Sequence, residues 1–177
     1  MSKLNISNND MAATARIDAI LKNIEESENN IQFANTVTDE LYRHQPFILS
    51  MIMGYKMDLS PEELGPLVKL YITIWEYYKS DTNVRAVPIT QEYYEKVEDR
   101  NMRMLKNFER MGSDSKHDFL VNDLNKIDGK ALLAAVFLQF RENKALRNMD
   151  IQTKGMLLIG LKSVIQCFDK LSIGSQK

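Results

Sequence analysis

The amino-acid sequence predicts an all-α fold, an irregular single-domain bundle of about six to eight helices with two central, nearly all-apolar helices. Three observations support this prediction. Apolar residues recur at three- and four-residue spacing over most of the 177 residues, which is the period of one helical face. The chain has only 7 Gly and 4 Pro, and most of them fall between the periodic segments, where helices end. Recognisable helix-start signals precede several of these segments.

Chain length and composition place the helices in one domain over 10–172, between a polar lead-in over 1–9 and a polar tail over 173–177. Apolar residues make up 44% and charged residues 27%, the ordinary balance of a globular domain. The single cysteine, Cys167, excludes an intrachain disulfide and fits a reducing compartment. No signal-like apolar segment opens the chain, and no apolar stretch reaches about 18 residues. We therefore expect a cytoplasmic protein without a membrane partner.

Two amphipathic helices open the predicted domain. Asp10 is expected to cap the first of them. Its inward face follows helical spacing through Ala13, Ile17, Ile20, Leu21 and Ile24. The second helix carries Val37 and Leu41 on one face and is expected to end near His44, because Pro46 disfavours helical geometry at the residue before it.

The next segment, 47–56, is apolar nearly all round, which predicts a helix that is buried on every face. Ser60, Pro61 and Glu63 then form the strongest local signal in the chain, a capping box with proline at the first helical position. The helix that follows presents an unbroken apolar stripe. Its members are Leu64, Leu67, Val68, Tyr71, Ile72, Trp75 and Tyr78.

The second half of the chain begins with the only predicted extended connection, over 82–91. Thr90 is expected to open a long helix that ends at Gly112. A short helix follows and breaks at Asp128-Gly129. The segment "KALLAAVFLQF", 130–140, is the second helix that is apolar nearly all round. Asp150 is expected to cap the last helix.

His44 is open to two interpretations. At a helix end, a histidine can cap free carbonyl groups and interact with the negative end of the helix dipole. Alternatively, His44, Tyr55 and Trp75 line a pocket in the bundle that binds a small molecule. A catalytic role would require a base or nucleophile close in space, and the sequence supplies no such geometry.

A second candidate site is a basic face on the long helix. It consists of Lys96, Arg100, Arg103, Lys106 and Arg110. Such a face can bind nucleic-acid phosphates or an acidic partner, joined by Arg141, Lys144 and Arg147. Glu92 and Asp99 each precede a cation by four residues, the spacing of intrahelical ion pairs, and this favours a charged face in contact with solvent. A helix-turn-helix over 115–142 is not expected, because a recognition helix cannot be apolar all round.

The sequence contains no pattern that predicts catalysis, a metal site or a cofactor. The two histidines and one cysteine lie far apart, which argues against zinc. Gly129-Lys130 lacks the other residues of a phosphate-binding loop. We therefore expect a non-enzymatic, cofactor-free protein that binds another protein or itself. The surplus of aromatic residues and the 10 methionines support this expectation, because flexible methionine suits adaptable binding surfaces.

Overall fold

The computed structural model describes residues 8–174, apart from the side chains of residues 8, 9, 113 and 114. The predicted lead-in and tail therefore lie mostly outside the described residues. Within them the chain forms helices and no β-strand, so the predicted all-α class is confirmed. The α-helices are α1 (Asn8–Glu26), α2 (Ile31–His44), α3 (Pro46–Gly54), α4 (Pro61–Tyr78), α5 (Thr82–Ala86), α6 (Gln91–Arg110), α7 (Ser113–Leu124), α8 (Lys130–Glu142), α9 (Lys144–Asn148) and α10 (Ile151–Ser172). A 3-10 turn over Tyr55–Met57 follows α3.

Local signals place most of the helix ends. The backbone N–H and the hydroxyl of Ser60 both donate to the Glu63 carboxylate, at 2.9 and 2.8 Å, at the start of α4. Asp150 accepts two backbone N–H groups at the start of α10, as expected for an N-cap. Asp10 does not cap α1, which begins two residues earlier. Its carboxylate instead lies 3.3 Å from the ammonium group of Lys130.

The described residues form more helices than the six to eight expected from the sequence. The extra ones are the five-residue helices α5 and α9, and α5 occupies the connection that was predicted to be extended. Helices of this length are too short to show a periodic apolar face. Each is started by one side chain, because Asp81 and Asn143 accept backbone N–H groups of the following residues.

The predicted central position of the helix after Pro46 is wrong. In α3 only Ile48 and Ile52 are buried, and Met53 is 58% exposed, because this nine-residue helix lies at the edge of the fold against α2. In α8 one face is buried, whereas Leu138 on the other side is 42% exposed.

The most enclosed helix is α10, which packs against α4, α5, α6 and α8 and is buried almost continuously from Leu157 to Asp169. Its buried face includes polar residues, so the sequence alone does not identify α10 as the most buried helix. Asn101 donates to the Ser163 hydroxyl, and the ammonium group of Lys162 pairs with Asp123 at 2.6 Å. These contacts satisfy the buried polar groups that would otherwise oppose burial.

Candidate interaction surface

His44 ends α2 as expected, but it contacts another helix rather than its own. Its Nδ1 lies 2.8 Å from the carbonyl oxygen of Arg85 in α5. Its ring stacks on the Trp75 indole, with centroids 6.2 Å apart and planes inclined by 21°. The histidine therefore joins α2, α4 and α5.

Gln45, for which the sequence predicted no role, makes the more extensive contact at this junction. Its side chain is completely buried. The amide nitrogen donates to the carbonyl oxygens of Val84 and Val87, at 2.6 and 3.1 Å, and the amide oxygen accepts the N–H of Ile89 at 2.8 Å. One side chain thus satisfies one backbone group of α5 and two of the connection between α5 and α6. Its only sequence signal is a polar residue between two helices.

The other two residues of the predicted pocket serve internal contacts. Trp75 is 1% exposed, and its indole N–H donates to Glu40 at 2.9 Å. The hydroxyl of Tyr55 lies 3.1 Å from that of Tyr71. The structure brings His44 and Trp75 together and joins Tyr55 to Tyr71 instead. None of the three lines either of the grooves described below.

The Tyr55–Tyr71 pair belongs to a buried group of phenols around Gly160 in α10. A methyl group at Gly160 would lie 3.2 Å from the Tyr71 hydroxyl and 3.3 Å from those of Tyr55 and Tyr94. The Tyr94 hydroxyl donates to Glu98 at 2.7 Å. Burial raises the pKa of Tyr71 and Tyr94, so both phenols stay neutral at physiological pH. The group holds the 3-10 turn, α4 and α6 on α10.

The predicted basic residues of α6 are all exposed: Lys96, Arg100, Arg103, Lys106 and Arg110. Lys96 forms the expected ion pair with Glu92 at 2.7 Å, and this hydrogen bond lowers the pKa of the glutamate. Arg100 donates to Gln166 of α10 at 3.3 Å. The expected pair of Asp99 with Arg103 is not among the ion pairs of the described residues.

One surface groove lies where α8, α9 and the start of α10 meet, and it has a volume of about 620 Å³. Its lining combines apolar side chains, which we call the floor, with three basic side chains, which we call the rim. The lining residues are Ala134, Phe137, Leu138, Phe140, Arg141, Arg147, Lys154 and Leu158. The Lys154 ammonium group donates to the carbonyl oxygen of Arg147 at 3.0 Å, which holds the two rim residues close together.

A smaller groove of about 240 Å³ lies on the other side of Ala134, which lines both. It runs between α1 and α8. Its lining residues are Asp10, Met11, Thr14, Leu124, Lys130, Ala131 and Ala134. The two grooves share Ala134, and the outer-face residues of α8 that line them run from Ala131 to Arg141. We refer to the two grooves together as the α8 trench.

Other kinds of site find little support. Among the described side chains, those of the metal-binding types form no cluster of three arranged to hold an ion. Cys167 is fully buried, and burial raises the pKa of its thiol to about 12, which disfavours the nucleophilic thiolate. No helix of the described part of the chain combines the length and apolar character needed to span a bilayer.

Comparison with known proteins gives no information about function. No protein-family model matches the chain, and no curated protein or solved structure is significantly similar to it.

Proposed function

We propose that this chain is a cytoplasmic, non-enzymatic interaction protein that binds another protein through the α8 trench. The observation that carries the proposal is the outer face of α8. Ala131, Ala134 and Leu138 follow one another at helical spacing along this face, and Leu138 is 42% exposed. Apolar residues on a concave surface with a polar rim are typical of protein-binding sites.

The composition of α8 supports the same proposal. The fold buries Leu132, Leu133, Val136 and Phe140 on one face of this 13-residue helix. On the opposite side Ala134 and Leu138 are exposed, whereas Ala131 packs partly against the core. A helix that is apolar beyond the needs of its own core has surface available for a partner.

Site-directed cross-linking tests the proposal. Benzoylphenylalanine at position 138 is expected to cross-link in vivo to a discrete second protein, and the same group at position 57 is the control. Met57 is 90% exposed but lies in the 3-10 turn, away from the α8 trench. Mass spectrometry then identifies the cross-linked segment. The proposal is refuted if position 138 gives no adduct, or the same adducts as position 57.

Self-association is the related alternative, and sedimentation velocity distinguishes it. A protein that binds a different partner through the α8 trench stays monomeric over a wide concentration range. A dimer that Leu138→Asp dissociates assigns the trench to a second copy of the chain instead. Apolar interfaces of this kind lose affinity strongly when a charge is buried in them.

Nucleic-acid binding through α6 is the second candidate function. It is favoured by the exposure of the five basic residues between 96 and 110. Retention on heparin or DNA that falls steeply with salt would support it, because phosphate contacts release counterions. Lack of retention at low salt would exclude it. The small-molecule alternative is tested by a thermal-shift screen, since a ligand at 100 times its Kd adds about 2.7 kcal/mol to the free energy of unfolding.

A further inference from the structure

We infer that the partner of the α8 trench is an acidic amphipathic helix, which lies along α8 with its carboxylates at the α9 end. This inference rests on the proposed function and adds the chemistry and the orientation of the partner. Three properties of the trench support it: its length, its charge distribution and the helical nature of its walls.

The side of the trench formed by α8 has the pattern of a helix-packing surface. Ala131, Ala134, Leu138 and Arg141 occupy one face of α8, at positions i, i+3, i+7 and i+10. The 13 residues of α8 span about 20 Å, which matches three to four turns of a second helix. The two alanines leave room for close approach, and helices pack at about 8–10 Å between axes.

Charge is distributed unevenly along the trench. The two grooves together are lined by four cations and one carboxylate, a net charge of +3. At the α1 end, Lys130 is neutralised by Asp10 at 3.3 Å. At the α9 end, Arg141, Arg147 and Lys154 form no ion pair with a described carboxylate. Complementarity therefore calls for an acidic partner, with its carboxylates at that end.

The walls favour a helix over an extended peptide. They are formed by α1, α7, α9 and the start of α10, so their backbone groups are already bonded within helices. An extended peptide that binds by strand addition needs a free sheet edge, and the described residues contain no strand. An amphipathic helix needs only apolar contacts for its own face and cations for its flanking carboxylates.

The apolar floor also argues against nucleic acid as the occupant. Phe137, Leu138 and Leu158 lie among the three cations. Nucleic-acid interfaces are polar and strongly basic throughout, because most of their contacts go to phosphate and sugar. A helix with carboxylates beside an apolar face uses both the floor and the rim.

The test measures binding of labelled 14-residue helical peptides to the full chain by fluorescence anisotropy. The acidic peptide carries leucine at i, i+3, i+7 and i+10 with glutamates around one end. A second peptide replaces each glutamate with lysine, and a third keeps the glutamates but contains two prolines. We expect the acidic helix to bind at least tenfold more tightly than either control peptide, about 1.4 kcal/mol.

Matched variants locate the binding site. Leu138→Asp is expected to abolish binding, and Arg147→Glu to weaken it about tenfold. Met57→Asp and Lys106→Glu make the same chemical changes at exposed positions outside the trench and should leave affinity unchanged. Circular dichroism verifies that each variant is folded. Equal losses at the control positions would overturn the assignment to the trench.

The remaining outcomes separate the inference from the proposed function. Equal binding of the acidic and basic peptides, or no binding of any peptide, overturns the inferred chemistry. Preferential binding to vesicles with anionic headgroups overturns it in favour of a membrane surface, and a dimer sensitive to Leu138→Asp does so in favour of a second copy. A cross-link from position 138 to a non-acidic segment leaves the proposed function intact while refuting the inference.

Discussion

Two glycines of α10, five residues apart, are expected to respond in opposite ways to substitution by alanine. The quantity compared is the free energy of unfolding. A methyl group at Gly155 would meet no atom within 4 Å, whereas at Gly160 it would lie 3.2–3.3 Å from three tyrosine hydroxyls. Glycine costs about 1 kcal/mol relative to alanine in a helix interior. We therefore expect Gly155→Ala to stabilise the protein by about that amount.

At Gly160 the cost of crowding the three hydroxyls is larger than the helix-propensity gain from alanine. Overpacking costs about 1–3 kcal/mol when the surrounding groups are held in place. The rings of Tyr71 and Tyr94 are buried, and their hydroxyls cannot move aside freely. Moving the Tyr55 hydroxyl would break its bond to Tyr71, worth about 1 kcal/mol. The balance is a loss of about 1–3 kcal/mol for Gly160→Ala.

Urea unfolding followed by circular dichroism and by Trp75 fluorescence measures both effects. In thermal unfolding, a chain of this size changes its Tm by about 2–4 °C for each kcal/mol. The double variant Gly160→Ala with Tyr55→Phe removes one of the three crowded hydroxyls, so it should recover part of the loss. Equal stabilisation by alanine at both positions, or no recovery in the double variant, would refute the packing argument.

Three further predictions concern buried polar groups. Gln45→Ala leaves three backbone groups without partners, and at about 1–3 kcal/mol for a buried unsatisfied group we expect a loss near the upper limit, about 3 kcal/mol. The exposed control Gln91→Ala should change the free energy of unfolding by less than about 0.5 kcal/mol, and equal effects would contradict the prediction. Burial raises the pKa of Asp169 in the folded chain, so the folded protein binds a proton at this carboxyl more tightly than the unfolded chain does. The stability that this proton binding contributes is present at low pH and is lost as pH rises through the raised pKa. Unfolding measured from about pH 4 upwards should therefore show wild type losing stability relative to Asp169→Asn, and a constant difference would refute this sign. Cys167 should react with a thiol reagent only after the protein opens, so that labelling at pH 8 follows the fraction unfolded, and rapid labelling of the native protein would contradict its burial.

Helix starts and ends were the features of this fold that the sequence predicted best. The α4 start depends on Ser60 and Glu63, and the α2 end depends on Pro46 two residues later. These effects act between residues no more than four apart, so the sequence displays them directly. The internal contacts of the predicted pocket residues were not visible in this way. The Trp75 indole donates to Glu40, which lies 35 positions earlier in the chain, and no local sequence pattern predicts that contact.

By itself, the sequence determined the helical class, because the spacing of apolar residues and the capping signals are local properties. Only the tertiary structure decided which apolar helix faces were covered. The segments at 47–56 and 130–140 are the most apolar in appearance, yet α10 occupies the centre of the fold. Burial depends on what packs against a helix from elsewhere in the chain. For this reason Lys162 and Asp169 lie inside with partners, while Leu138 lies outside at the α8 trench.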